Sequence, residues 1–478
     1  MTQDSHRKGI MSHAEALSGS TPALSRDGRR AIAAAAVGTL IEWFDFSLYG
    51  SLAALFAAKL FFPHQSDSVA LLAAFAAFGV PYVARPFGGI LVGRFGDRHG
   101  RKPALIFTIV LMSASSFATG FLPTYDMIGI WAAVLLVTLR LAQGFGAGAE
   151  FAGALALTAE YTPQRRRGFY TALMQATSLG GVLLASLAFL IVSSLPQDAL
   201  LSWGWRIPFL CAGPLCIVAL YMRSKLDESP EFVAVMDRLR SVGAAAQPLR
   251  QLLSNRKREV ALSFAMMSSI NVLTYTLMTF SVSFLTNTRH LPATTALTAV
   301  SVGTFFGIIA NPIAGSLCDK YGFRRIWTIA MSISIPGIFL FFMAARSSPN
   351  WLVIVALSAI FSVGHAGAAG AFPGIFVNIF PTEVRHTGIA FTKELSGAIA
   401  AGTTPLVGAA LVLYGHGTPW WVAAYVAAWC LIGVLAVRGI GSGSETPRHA
   451  QLLAHEPASA GTESTGREEV ATARPLTD

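Results

Sequence analysis

The sequence contains few charged residues. Asp, Glu, Lys and Arg make up 13% of its 478 residues, against about 25% in ordinary soluble proteins. Hydrophobic residues make up 53% of the chain. This composition excludes a soluble globular domain and indicates a membrane protein.

Cysteine is also scarce, and motifs that carry enzyme chemistry are missing. Cys211, Cys216, Cys318 and Cys430 lie in or beside apolar stretches without the spacing of metal ligands. We therefore predict no disulfide framework and no metal site. The sequence has no nucleophile and base at recognisable spacing and no phosphate-binding loop, so we predict that the protein is not an enzyme and needs no cofactor.

Long apolar runs recur along almost the whole chain, and a membrane span needs about 20 such residues. We predict twelve spans, at residues 31–60, 69–93, 104–122, 127–160, 168–194, 204–222, 259–286, 295–317, 326–345, 351–378, 387–412 and 418–438. The first thirty residues lack the short apolar core of a cleavable signal peptide. The first span is therefore expected to act as its own insertion signal.

The net charge of +10 is spread over short segments between the apolar runs. Contact with anionic lipid explains it, and we predict no nucleic-acid partner. Near the predicted outer side the only cationic residues are Lys59, Arg206, Arg289 and Arg346. By the positive-inside rule both termini lie in the cytoplasm.

A polar linker divides the spans into two groups of six. The predicted parts are a cytoplasmic N-terminal segment at 1–30, a six-helix bundle at 31–222, a cytoplasmic linker at 223–258, a second six-helix bundle at 259–438 and a tail at 439–478. The tail is rich in Ser, Thr, Pro, Glu and Ala, and we predict that it is disordered in the cytoplasm.

A short signature occurs once in each group of spans. GRFGDRHGRK begins at Gly93 and GSLCDKYGFRR begins at Gly315, so a shift of 222 residues aligns them. Gly, Asp, a cation and Gly keep the same spacing in both copies. The sequence therefore predicts parallel repeats built from six spans each.

These motifs resemble those of the major facilitator superfamily. The copy at Gly93 resembles its loop signature, and RLAQGFGAGAE at 140–150 resembles its fourth-helix motif. EWFDFSLYG at 42–50 and ARPFGG at 84–89, with GWRIPF and DESPEF further on, are similar to the metabolite:proton symporters. That group includes bacterial transporters of α-ketoglutarate, citrate, shikimate and proline or betaine. The resemblance implies two pseudo-symmetric six-helix bundles in a bacterial inner membrane, with a substrate site between them.

Two acids interrupt the first predicted span. Glu42 and Asp45 are three residues apart, on neighbouring positions of one helix face, so they can share a cavity and influence each other's protonation. A buried carboxylate in a membrane is costly and is usually functional. We predict that one or both carry protons. The alternative is a permanent ion pair with a residue such as Arg85, which would only pack helices.

Arg140, Gln143 and Glu150 fall on one face of the fourth predicted span. The resemblance assigns the arginine of this motif to proton transfer. Its planar guanidinium also suits a carboxylate, so Arg140, with Arg85 and Gln143, is a candidate to bind substrate. A purely structural ion pair is the alternative. Glu150 is assigned to proton coupling with Glu42, Asp45 and Arg140.

The second half contributes fewer charges to the predicted spans. Lys393 either gives the substrate site its cationic character or extends to the inner surface. Asn271 and Tyr275 are assigned to substrate binding, and Ser269 to selectivity. His365 is either a titrating group or a packing residue.

The repeated loop has a different predicted role. The resemblance places Asp97, with Arg98 and Arg101, at the cytoplasmic interface, where the aspartate meets the positive N-terminal end of a neighbouring helix. Asp319 is its counterpart in the second half. Contacts of this kind hold a cytoplasmic gate shut until the substrate is released.

The predicted function is import of a small organic acid by proton symport with alternating access. The protein is expected to be a monomer that uses the proton gradient as its energy source. A proton symporter of zwitterions such as betaine or proline is the nearest alternative. Proton-driven efflux and a non-transporting sensor remain further alternatives.

Overall fold

The computed structural model describes residues 26–99, 101–147, 162, 166–224, 248–347, 349–380 and 385–440. Within these ranges the chain is helical and contains no strand. The chain divides into the units Met1–Ile440 and Gly441–Asp478. The second unit, with most of the predicted tail, lies outside the described residues.

Each of the twelve predicted spans contains a described helix. We number these helices α1 (Arg26–Leu55), α2 (Asp67–His99), α3 (Arg101–Thr119), α4 (Trp131–Ala147), α5 (Arg167–Val192), α6 (Ala212–Ser224), α7 (Lys257–Thr288), α8 (Ala293–Tyr321), α9 (Phe323–Ser347), α10 (Asn350–Phe376), α11 (Thr387–Tyr414) and α12 (Trp420–Gly439). Short helices include Ala57–Phe61, Tyr125–Ile128, Gln197–Ser202 and Pro248–Asn255. In the described ranges, nine helices are long and apolar enough to cross a membrane.

Glycine allows the helices of the first half to approach closely. A Cβ atom on Gly144 of α4 would collide with the backbone of Pro81 in α2. One on Gly146 would lie 2.7 Å from the carbonyl oxygen of Thr108 in α3. Membrane helices pack through such small residues because lipid gives no hydrophobic drive for association.

The two halves meet along several helix pairs. In α5 and α8, a Cβ atom on Gly168 would lie 2.6 Å from the carbonyl oxygen of Gly315. At the other end of the same pair, Ser301 donates a hydrogen bond to Ser186 over 3.1 Å. A cavity lies between the halves, midway along the helices.

Candidate functional site

The cavity between the halves has a volume of about 50 Å³. Side chains from α1, α2 and α5 of the first half line it together with side chains from α7, α10 and α11 of the second half. The space admits only a few water molecules or a small solute in this conformation.

Two ion pairs lie at the cavity, one from each half, and three of their four residues line it: Glu42, Arg85 and Lys393. In the first half the Arg85 guanidinium donates to the Glu42 carboxylate. In the second half, Lys393 Nζ lies 3.6 Å from Glu394 Oε1. The two ion pairs also interact electrostatically with each other. Glu394 attracts Arg85, and Glu42 attracts Lys393. We call these four residues the cavity charge group.

Three aromatic residues form another part of the lining, and we call them the aromatic wall: Trp43, Tyr82 and Tyr275. The hydroxyl of Tyr82 in α2 donates to the hydroxyl of Tyr275 in α7 over 2.6 Å. The rings of Trp43 and Tyr275 are nearly parallel, with centroids 6.2 Å apart. The aromatic wall therefore connects the two halves at the level of the cavity.

Uncharged polar groups complete the lining. Asn271 Nδ2 donates to Ser396 Oγ over 2.8 Å, and His365 Nε2 lies 2.9 Å from Thr274 Oγ1. His365 is thus both hydrogen-bonded and part of the cavity wall. The hydroxyl of Ser178 lines the cavity without a partner among the described residues. Such a buried polar atom suits a hydrogen bond from a solute.

A separate polar cluster lies inside the first half. We call it the interior group: Asp45, Ser113, Ser116, Arg140 and Gln143. Ser113 donates to Asp45 over 3.0 Å. Arg140 donates to Gln143, which donates to Ser116 over 2.9 Å. None of these five described side chains lines the cavity.

This arrangement differs from two expectations. Glu42 borders the cavity, whereas Asp45 points toward α3, because residues three apart on a helix differ by about 60° in direction. Arg140 and Gln143 bond to each other inside the first half, so they do not contact the cavity that we expected them to line. Asp45 and Arg140 nevertheless lie in one cluster.

Two further expectations concern the second half. Asn271, Tyr275 and Lys393 do line the cavity. Ser269 does not, because its hydroxyl bonds to the Met266 carbonyl and packs against Gly433 of α12. The two-residue step from Ser269 to Asn271 turns the side chain by about 200°.

The second copy of the repeated loop caps a helix of the opposite half. Asp319 Oδ1 accepts a hydrogen bond from the Gly168 amide over 2.8 Å, and Oδ2 accepts one from the Phe169 amide over 3.0 Å. A carboxylate is favourable at the positive N-terminal end of α5. Asp97, Arg98 and Arg101 belong to α2 and α3, but their side chains lie outside the described residues, as does Glu150.

Several residues that line the cavity were not predicted from the sequence. Tyr82 precedes Arg85 by three positions, and Gln175 and Ser178 are likewise three apart on α5. This spacing places each pair on one helix face. The pattern was therefore present, but an uncharged side chain in an apolar run gives a weaker signal than a charge does.

Known proteins resemble the chain over most of its length. The profile of the Major Facilitator Superfamily matches residues 35–405. The glycine betaine/proline/ectoine/pipecolic acid transporter OusA of Dickeya dadantii is 35% identical over 402 residues, which cover 80% of this chain and 77% of that protein. The shikimate transporter of Escherichia coli is 34% identical over 423 residues, 87% of this chain and 94% of that protein.

Solved structures resemble the fold. A partially occluded inward-open structure of the xylose transporter XylE from E. coli has a TM-score of 0.67 at 17% sequence identity, covering 92% of this chain and 100% of that one. The predicted all-α fold with twelve transmembrane helices in two six-helix bundles is confirmed. The chain belongs to the Major Facilitator Superfamily, and it is a multi-pass membrane transporter rather than an enzyme.

Proposed function

We propose that this transporter takes up a small zwitterion, an ammonium carboxylate such as glycine betaine or proline, together with protons. The observation that carries the proposal is the cavity charge group. Its members Glu42, Arg85 and Lys393 line the cavity and present both signs of charge to one small space, and Glu394 pairs with Lys393 without being one of the lining residues.

The charges of the cavity favour a neutral solute. The four members of the cavity charge group sum to zero when Glu394, which pairs with Lys393 outside the lining, is included. A zwitterion therefore adds no net charge to this group while its ends exchange partners with the ion pairs. A dicarboxylate or tricarboxylate would bring net negative charge into a buried site, which is unfavourable without additional protons. The zwitterion is therefore the preferred substrate in place of the organic acid.

Each end of a zwitterion has candidate partners in the lining. Lys393 and Arg85 suit the carboxylate. The carboxylate of Glu42 and the faces of Trp43 and Tyr275 suit the ammonium, because aromatic faces attract cations and quaternary ammonium groups in particular. The relative OusA is named for the transport of glycine betaine and proline. This supports the same class of substrate here.

The interior group is the proposed site of proton coupling. Asp45 is fully buried and accepts a hydrogen bond from Ser113, and carboxylates buried within membrane spans commonly belong to proton relays. Arg140 lies in the same cluster and interacts with the charge of Asp45. Separation of Asp45 from the cavity allows protonation and substrate binding to be distinct events. Glu150 stays a predicted member of this pathway.

The remaining parts of the proposal concern topology and gating. Asp319 on the α5 amides and, by the repeat, Asp97 with Arg98 and Arg101 form the cytoplasmic gate. We propose that the protein is a monomer in a bacterial inner membrane, with both termini in the cytoplasm and lipid around it. The proton gradient supplies the energy, and no cofactor takes part.

Import of a carboxylic acid is the second candidate. The shikimate transporter of E. coli, at 34% identity, favours it, and Lys393 would hold the acid. Efflux of larger drugs is less compatible with a cavity of about 50 Å³.

Uptake by reconstituted liposomes tests the proposal. Radiolabelled glycine betaine, proline, shikimate and α-ketoglutarate would be offered under an inward proton gradient, with and without a protonophore. We expect accumulation of glycine betaine or proline that collapses with the protonophore. Accumulation of only an acid would favour the second candidate, and binding without accumulation would favour a sensor.

A further inference from the structure

Phe46 lies beneath two buried arginines. The guanidinium carbon of Arg85 is 4.5 Å from the centroid of the Phe46 ring, and that of Arg140 is 5.6 Å away. The ring is 4% exposed. Both distances are within the range of about 6 Å at which an aromatic face attracts a cation.

The two arginines belong to different clusters. Arg85 is part of the cavity charge group, and Arg140 is part of the interior group. Arg85 donates to Glu42 in the first cluster, and Arg140 donates to Gln143 in the second. Phe46 follows Asp45 directly and lies one helical turn after Glu42, so its ring contacts a cation from each cluster.

The ring faces two like charges in a medium of low dielectric constant. The charge of Arg85 acts on that of Arg140, and repulsion between buried like charges is strong. The negative face of an aromatic ring reduces this cost for each guanidinium. A movement of either arginine therefore changes the surroundings of the other through a shared partner.

We infer that Phe46 is a positioning residue that transmits the charge state of the interior group to the cavity charge group. The inference rests on the proposed coupling at Asp45. When Asp45 takes up or loses a proton, the electrostatic force on Arg140 changes. The interaction between the Arg140 guanidinium and the Phe46 ring then changes as well. Arg85 responds because it lies over the same ring, and this alters its pairing with Glu42 beside the substrate.

A purely packing role for Phe46 predicts a different behaviour. The ring also packs against Tyr82, with centroids 5.4 Å apart. If packing is its only role, an aliphatic replacement lowers every transport activity in parallel. If the ring links two clusters, the replacement separates proton movement from substrate movement.

Phe78 offers a matched control. Its ring is 1% exposed and packs against Tyr82 and Tyr275, with centroids 5.6 Å and 5.8 Å away. No described guanidinium lies over its ring, and the hydrogen bond from Arg140 Nη2 goes to its backbone carbonyl oxygen, which a substitution keeps. Phe46→Leu and Phe78→Leu therefore remove the same ring from the same region, and only the first removes a ring face that lies against arginines.

The experiment uses full-length protein in liposomes containing a pH-sensitive dye, with radiolabelled glycine betaine and proline as probes. Exchange of solute at equal concentrations requires no net proton movement, whereas accumulation does. For Phe46→Leu we expect nearly unchanged exchange, a roughly tenfold loss of gradient-driven accumulation and a lower ratio of protons to solute. Phe46→Tyr, which keeps the ring face, should retain all three.

Each contrary result identifies what fails. A parallel loss of exchange and accumulation in Phe46→Leu, or equal behaviour of Phe46→Leu and Phe78→Leu, would overturn the role of Phe46 alone. Absence of gradient-driven accumulation in the unmodified protein would overturn the proposed function as well. Should Phe46→Leu misfold, Phe46→Met supplies a second side chain that fills the space without a ring face.

Discussion

The two halves hold their buried groups in different ways. The first half contains a closely bonded ion pair, Glu42 with Arg85, and behind it the interior group around Asp45 and Arg140. The second half contains a more widely spaced pair, Lys393 with Glu394, among uncharged polar side chains. This difference supports the proposal that the first half carries the proton coupling while the second half contributes Lys393 to the substrate site.

The backbones differ as well. All four π turns among the described residues lie in the second half, at Thr276–Phe280, Phe284–Thr288, Ile360–His365 and Gly397–Ala401. Cavity-lining residues such as Met278, His365 and Ala401 belong to three of them. Such turns frequently occur at functional sites. The second half thus presents several of its cavity-lining residues on irregular helices, whereas the described helices of the first half contain no π turn.

The largest expected effect concerns the ion pair of the first half. Arg85→Gln leaves the Glu42 carboxylate buried without its partner, which costs about 3–5 kcal/mol. Adding Glu42→Gln removes the stranded charge and should restore most of the stability. Thermal unfolding of Arg85→Gln, of Glu42→Gln and of the double variant in detergent measures this. Melting temperatures that fall additively in the double variant would show that the pair is not coupled.

The second prediction tests the division of labour between the two acids. Asp45→Asn is expected to abolish gradient-driven accumulation and to preserve exchange, because the interior group does not line the cavity. Glu42→Gln is expected to weaken both, because its carboxylate borders the substrate. Parallel uptake and exchange assays check the difference. If both variants lose both activities equally, the two acids form one site.

The third prediction concerns the substrate contact of the second half. Lys393→Met removes the proposed partner of the substrate carboxylate, and a charged hydrogen bond is worth about 1.5–3 kcal/mol, so KM should rise about 10- to 100-fold. Lys393→Arg should recover part of the loss. Lys59→Met, at an exposed position outside the cavity, is the control. An unchanged KM in Lys393→Met would assign carboxylate binding to Arg85.

Much of the fold follows from the sequence. Apolar runs longer than a bilayer core predict where helices lie, and the repeat at Gly93 and Gly315 predicts two related halves. Five residues of the cavity charge group and the interior group were predicted from the sequence as charged residues within these runs: Glu42, Asp45, Arg85, Arg140 and Lys393. A charge is conspicuous in an apolar run because its burial is costly.

The clustering of those residues could not be predicted in the same way. The direction of a side chain around its own helix does not determine which neighbouring helix it contacts. Glu42 and Asp45 were therefore expected in one cavity, whereas the structure places them in different clusters. The aromatic wall is equally hidden, because Trp43, Tyr82 and Tyr275 resemble ordinary core residues in the sequence. Their association depends on how α1, α2 and α7 pack.

The smallest expected effect concerns the bond that joins the halves at the cavity. Tyr275→Phe removes the hydrogen bond from Tyr82 and keeps both rings. One neutral hydrogen bond contributes about 1 kcal/mol, which corresponds to about fivefold in rate. If the halves must separate here for the site to open, exchange should become faster by up to this factor.

Tyr425 provides the comparison for this change. It is a partly buried tyrosine of α12 and does not line the cavity. Tyr425→Phe likewise removes one phenolic hydroxyl and should leave the exchange rate unchanged. Slower exchange in Tyr275→Phe would mean that the hydroxyl contacts the substrate or positions the aromatic wall. The first half would then depend on Tyr275 for substrate binding, rather than only for closure against the second half.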